Sequence, residues 1–258
     1  MTGIAGSTGD GAKESAARMP TSSSPFRVHI FADGADVSTM LRRHQEGFVR
    51  GFTTNPTLMA KAGIRDYAAF AREVLAVIRE LPISFEVFSD DFAEMERQAL
   101  LISSWGPNVN VKIPITNTQA ASSLGVIRSL LGRGVKLNVT AILAREQWLG
   151  VRDLMRADDD VIVSVFAGRI ADTGVDPVPM MTQAVEDFRA FPRAKILWAS
   201  PRETLNIYQA DQCGCHIITA TDDLLSKLLS LRGKSLAEFS LETVRMFHGD
   251  AQKAGFKL

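Results

Sequence analysis

The stretch VNVKIPITNTQ, residues 109–119, sets one lysine inside an apolar run. Strand side chains alternate faces, so Asn110, Lys112 and Pro114 share one face while Val109, Val111, Ile113 and Ile115 share the other. Lys112 then faces either water or a specialised interior. On an edge strand its stem would lie along apolar surface and its head would reach solvent. The surrounding chain decides between the two.

Outward from this segment, short β-rich runs alternate with helical patterns. The runs are RVHIFAD (27–33), GFTTNP (51–56), ISFEV (83–87), VNVKIP (109–114), VKLNVT (135–140), VIVSVF (161–166), KILWAS (195–200) and HIIT (216–219). Between the second and third runs lies RDYAAFAREVLAVIREL, in which Tyr67, Phe70, Val74, Leu75 and Ile78 recur at helical spacing, with Asp66 placed to cap the helix. Strand–helix alternation indicates a parallel sheet with crossover helices. Eight such units with no long unassigned gap predict a single closed (β/α)8 TIM barrel over residues 26–258. An open doubly wound sheet is disfavoured, because no GxGxxG follows the first strand. The segment SLETVRMFHGDAQKAGFKL (240–258) reads as an extra C-terminal amphipathic helix. It could pack on the barrel or on a neighbouring subunit, which makes a homo-oligomer conceivable.

Composition sets bounds on partners. The chain of 258 residues is 46% hydrophobic and 22% charged, with 29 Lys plus Arg balancing 29 Asp plus Glu. Zero net charge offers no electrostatic reason for a nucleic-acid or anionic-membrane partner, and no apolar run approaches the roughly 18 residues of a membrane span. Residues 1–25 are rich in Gly, Ser, Thr and Ala and lack the apolar centre of a secretory signal; they read as a disordered extension. Cys213 and Cys215, the only cysteines, read as reduced thiols of a cytoplasmic protein. They cannot complete a tetrahedral metal site, and the four histidines form no metal-binding pattern, so no metal is expected.

In a barrel of this kind the functional face lies at the C-terminal ends of the strands. Those ends carry Asp33, Thr54 and Asn55, Glu86, Lys112, Asn138 and Thr140, Ser164, then Ser200 and Arg202. Alternation places Asn138 with Thr140, Ser164 with Phe166, and Ser84 with Glu86. A lysine amine in a low-dielectric interior is less readily charged, and a neutral amine can attack a carbonyl to form a Schiff base. Asp33 and Glu86 supply carboxylates for proton transfer, Thr140 can position a water, and Asn55 and Asn138 can hold hydroxyls. No nucleotide loop is present, so no cofactor is expected. Arg169 in FAGRIAD, with Ser200 and Arg202 in ASPR, falls on the loops after strands six and seven, where such barrels often hold phosphate.

The ordered motifs FADGAD, GFTTNPTL, ISFEV, VKIPIT, KLNVTAI, VSVFAGRIADTG and WASPRE resemble those of the transaldolase and fructose 6-phosphate aldolase family, over about Phe31 to Leu228. The resemblance implies a cofactor-free barrel acting on sugar phosphates through a Schiff-base lysine, here Lys112. By motif, it implies that Asp33 is the acid/base at the cleaved bond and that Glu86 and Thr140 hold a proton-shuttling water. Asn55, Asn138 and Ser164 would bind donor hydroxyls beside Thr54, and Arg169, Ser200 and Arg202 would bind phosphate. The aldolase members carry tyrosine and glutamine where this chain has Phe166 and Glu86, which points to transaldolase. Aldolase activity releasing dihydroxyacetone, or a non-catalytic sugar-phosphate-binding barrel, remain as alternatives. Trp198, Pro201, Gly34 and Asp36 depart from the family pattern; Trp198 is expected to fill the barrel interior.

Overall fold

A computed structural model of the protein describes residues 25–257; the chain through residue 24, read above as a disordered extension, lies outside the described residues. The elements run β1 (His29–Asp33), α1 (Val37–Gln45), β2 (Gly51–Thr53), α2 (Pro56–Lys61), α3 (Tyr67–Val77), β3 (Ile83–Glu86), α4 (Phe92–Ser103), β4 (Val109–Pro114) and α5 (Leu124–Gly132). They continue through β5 (Leu137–Ile142), α6 (Arg145–Arg152), β6 (Val161–Val165), α7 (Ala167–Asp172), α8 (Pro177–Asp187), β7 (Lys195–Trp198), α9 (Leu205–Gln212), β8 (Ile217–Thr221), α10 (Asp222–Leu231) and α11 (Leu236–Ala254).

Local chemistry explains where the helices begin. The side chains of Asp36, Asn55, Asp66, Asp91 and Asp176 accept backbone N–H bonds at the starts of α1, α2, α3, α4 and α8, satisfying donors that have no partner within a helix. Pro56 and Pro177 follow two of these caps, where the missing N–H costs nothing.

The strands form a closed parallel barrel in sequential order, with β8 pairing back onto β1 through His29↔Ile217 and Phe31↔Thr219. Closure abolishes the edge-strand reading of Lys112, because no strand of the barrel is an edge. Val109, Val111 and Ile113 face outward into the main core between sheet and helices, while Lys112 faces the barrel axis and is only 6% exposed. A small second core of Phe31, Ile162, Leu197, Ala199 and Ile217 plugs the axis below the polar residues, with Phe166 packed on it. Gly51 makes room for this plug, since a Cβ there would sit 2.5 Å from the Phe31 ring.

Trp198 departs from its expectation. It is fully buried, but in the outer core against the helices; the inward face of β7 belongs to Leu197 and Ala199. Helix α11 is present as expected, with a Ser235–Glu238 capping box and a left-handed Gly255 terminus. None of its side chains is buried, so it does not pack into the core of the barrel.

Candidate active site

The pairing register sets Glu86, Lys112 and Asn138 in one row across β3, β4 and β5, with Pro114 opposite Thr140 one step higher. In a parallel sheet, paired residues present side chains to the same face, so this row converges on the axis. The result is a cavity of about 450 Å³ at the C-terminal end of the barrel. Its lining includes Asp33, Asn55, Glu86, Lys112, Asn138, Thr140, Ser164, Phe166, Arg169 and Ser200.

Lys112 Nζ lies 3.0 Å from Glu86 Oε2 and donates to the carbonyl of Thr54 at 3.0 Å. Glu86 is itself held by Tyr67, whose hydroxyl accepts from the Glu86 N–H at 2.8 Å and donates to the Glu86 carbonyl at 3.0 Å. Burial drives the Tyr67 phenol far above its ordinary pKa, so it stays a neutral donor. Asp33 accepts from Thr53 Oγ1 at 2.7 Å, and Thr53 Oγ1 in turn contacts Thr219 Oγ1 at 2.5 Å. Burial raises the Asp33 carboxyl above its usual range; the nearby Lys112 charge and the Thr53 hydroxyl oppose that rise but do not cancel it.

A second chain of bonds fixes the amide row. Ser164 Oγ donates to Asn138 Oδ1 at 2.6 Å, and Asn138 Nδ2 donates to Ser84 Oγ at 3.0 Å. Thr140 Oγ1 is buried beside the cavity without a hydrogen-bond partner among the described residues. The strand is irregular directly after it: β5 and β6 shift register between Val139 and Ile142, and Ala141 takes a left-handed φ of 60°. Such bulges re-aim side chains at strand ends. Ser200 also takes a left-handed φ of 62°, which breaks the alternation of β7 and brings Ser200 to the cavity rim. Gly168 permits this loop, since a Cβ there would lie 1.6 Å from the Ser200 carbonyl oxygen.

The two arginines have different environments. The Arg169 guanidinium stacks over the Phe166 ring at 5.2 Å from its centroid, borders the cavity and makes no ion pair among the described residues. Arg202 donates from Nε to Asp172 Oδ1 at 2.9 Å, from Nη2 to Asp172 Oδ2, and from Nη1 to Ser200 Oγ at 2.9 Å. Those bonds hold the Asp172 carboxyl below its usual range. Arg202 is therefore not in the cavity lining, and neither is Thr54. Alternation points Thr53 inward and turns the Thr54 hydroxyl into the outer layer, where it is buried and has no partner among the described residues; its carbonyl accepts from Lys112. Thr53 and Thr219 line the cavity without having been singled out. Thr219 could have been found as the polar residue sharing a face with Ile217 in β8. Ala141 depends on the bulge and carries no such signal.

Among the described residues, no group of three or more His, Cys, Asp or Glu side chains is arranged to hold a metal ion, and no helix is long and apolar enough to cross a membrane.

Solved structures share the barrel: 3-hexulose-6-phosphate synthase at 14% identity and TM-score 0.54, covering 78% of this chain and 92% of that one, and 2,3-dimethylmalate lyase at 13% and 0.53, covering 89% and 84%. At these identities the likeness concerns the fold alone. Sequence relatives carry more. A protein of Dehalococcoides mccartyi named probable transaldolase is 34% identical over 215 residues, 82% of this chain and 96% of the relative. One of Thermoanaerobacter sp. with the same name is 32% identical over 232 residues, 90% and 100% of the two chains. The family model described as Transaldolase/Fructose-6-phosphate aldolase matches residues 30–258, and the chain thus belongs to that family.

Proposed function

We propose that the protein is a transaldolase that moves a dihydroxyacetone unit from a ketose phosphate to an aldose phosphate through a Schiff base on Lys112. The observation that carries this reading is a lysine amine on the barrel axis, 3.0 Å from the Glu86 carboxylate, in the same cavity as the Asp33 carboxyl that burial keeps easily protonated.

In the proposed reaction, Lys112 Nζ attacks the donor's ketone carbon, and loss of water gives the iminium. Glu86 and Thr140 hold the water that carries protons during this step; the unpartnered Thr140 hydroxyl suits that task. Asp33 removes the proton from the hydroxyl on the far carbon of the bond to be cleaved, the carbon that becomes the aldehyde. The carbon–carbon bond breaks, an aldehyde leaves, and its electron pair forms the enamine. The enamine then attacks the acceptor aldehyde, Asp33 returns the proton to the new alkoxide, and water hydrolyses the iminium to free Lys112.

Asn138, with Ser164 and Ser84 fixing its amide, and Asn55, whose Oδ1 caps α2 and whose N–H₂ has no partner among the described residues, orient donor hydroxyls. Arg169 and Ser200 hold the phosphate, and Arg202 supports them from behind through Ser200. Transfer is favoured over release because Phe166 lines the cavity, and a phenyl ring has no proton to deliver to the enamine.

Borohydride reduction in the presence of fructose 6-phosphate tests the reading. A sugar-derived mass is expected on the peptide containing Lys112, and none in Lys112→Arg. A label on Lys136, whose amine binds the Pro107 carbonyl, or on no lysine, would overturn the mechanism.

A further inference from the structure

The chain's only two cysteines are not used by the site just described. They lie at the other end of the barrel, where α9 ends and the chain turns into β8. The turn is a Schellman motif: the Cys215 N–H reaches the Ala210 carbonyl at 3.0 Å and the Gly214 N–H reaches the Asp211 carbonyl at 3.3 Å. Gly214 supplies the left-handed residue that the motif requires, with φ +79°. Because the chain reverses at Gly214, Cys213 and Cys215 place their side chains together, and the two Sγ atoms lie 3.4 Å apart.

The pair is asymmetric. Cys215 is 4% exposed and packs in the main core, whereas Cys213 is partly exposed. The hydrogen bond between them favours the Cys213 thiolate and disfavours that of Cys215. Thiol–disulfide exchange is divided in the same way, between an accessible thiolate that attacks and a neighbour that resolves. A disulfide needs sulfurs about 2.05 Å apart, so roughly 1.3 Å of approach separates the present arrangement from a bond. Rotation of the partly exposed Cys213 side chain can supply it, since its contact with the Ala210 carbonyl is a long one, 3.5 Å. The adjoining cavity, about 340 Å³, is lined by Gly214 and Cys215 together with Lys195 and the Arg27–Asp211 pair, so charges of both signs lie beside the turn.

We propose that Cys213 and Cys215 form a reversible dithiol/disulfide site that reacts with small disulfides of the glutathione type. The Cys213 thiolate attacks one sulfur of the reagent, the reagent's S–S bond breaks, and one thiolate leaves with its electron pair. Cys215 then gives up its proton and attacks Cys213 Sγ, expelling the second thiolate. Two protein thiols are oxidised and one external disulfide is reduced to two thiols. The closed ring spans a turn already formed in the folded protein, so the second step outruns release of the mixed disulfide.

The test uses the full-length protein under native conditions with glutathione disulfide, quenched with N-ethylmaleimide and read by intact and peptide mass spectrometry. Wild type should become lighter by two hydrogens, take up no maleimide, retain no glutathione, and revert with dithiothreitol. Cys215→Ala should stop with one glutathione on residue 213. Cys213→Ala should stay unmodified, because the remaining thiol is buried. A wild type that keeps a stable mixed disulfide, forms covalent dimers, or stays fully maleimide-reactive while Cys215→Ala is modified would overturn the proposal. So would a Cys215→Ala protein that does not react. Should either variant fail to fold, the wild-type product alone decides between ring closure and a retained adduct.

Discussion

Replacing Arg169 by alanine removes a cation of the cavity lining that makes no ion pair among the described residues. Arg169 stacks on Phe166 and makes no ion pair among the described residues, whereas the charge of Arg202 is balanced by Asp172. At an effective dielectric constant of about 20, a phosphate charge 4 Å away would interact with about 4 kcal/mol, an upper bound before desolvation. Hydrogen bonds to charged groups contribute about 1.5–3 kcal/mol net. The expected loss for Arg169→Ala is therefore about 2–3 kcal/mol in kcat/KM for a phosphorylated donor, or about 30- to 150-fold. Arg202→Ala should cost less, about 10-fold, since it loses only the bond to Ser200 and leaves Asp172 unbalanced nearby. Asp172→Asn should act the other way, lowering KM a few-fold by releasing Arg202. Steady-state transfer would be measured for each variant with fructose 6-phosphate and with unphosphorylated fructose. Equal losses for both donors would mean that Arg169 is structural. A larger loss for Arg202→Ala than for Arg169→Ala would refute the assignment of the free cation.

Three further outcomes are expected. Phe166→Tyr places a hydroxyl beside the enamine and should raise release of free dihydroxyacetone in the absence of acceptor by about 100-fold; if wild type already releases it as fast as it transfers, the chain is an aldolase. Gly168→Ala drives a Cβ into the Ser200 carbonyl, which must move by more than 1 Å. It should lower stability by about 1–3 kcal/mol and raise KM for phosphorylated donors, and an unchanged melting curve with unchanged KM would disprove that close approach. Asp33→Asn should abolish turnover yet raise Tm at pH 7. The folded state holds the Asp33 proton more tightly than the unfolded chain, so this group's contribution to stability falls as pH rises from the ordinary 3.8 through the raised value. A lower Tm for the variant at pH 7 would contradict that sign.

Local patterns carry much of this protein's architecture. All eight strands lie where β-rich runs alternate with helical spacing, and VNVKIP coincides with β4 from Val109 to Pro114. Asp66 caps α3 as its position before Tyr67 implied. Alternation also placed Glu86, Lys112, Asn138 and Ser164 correctly with respect to the cavity, because side-chain direction in a regular strand depends only on parity.

Parity has limits where a strand frays or bulges. Ser200 and Ala141 reach the cavity through left-handed backbone, which no spacing rule anticipates for a serine or an alanine. Thr54 and Trp198 face outward because one residue of register exchanges the faces of a strand. The pairing of Arg202 with Asp172 joins residues 30 positions apart, and only the packing of neighbouring loops brings them together. What the amino-acid order determined was the alternation of elements and the polar inventory at the strand ends, since both follow from short-range sterics and periodicity. Only closure of the barrel decided that Lys112 faces a buried axis instead of water, because burial of that amine depends on strands that meet across the whole length of the chain.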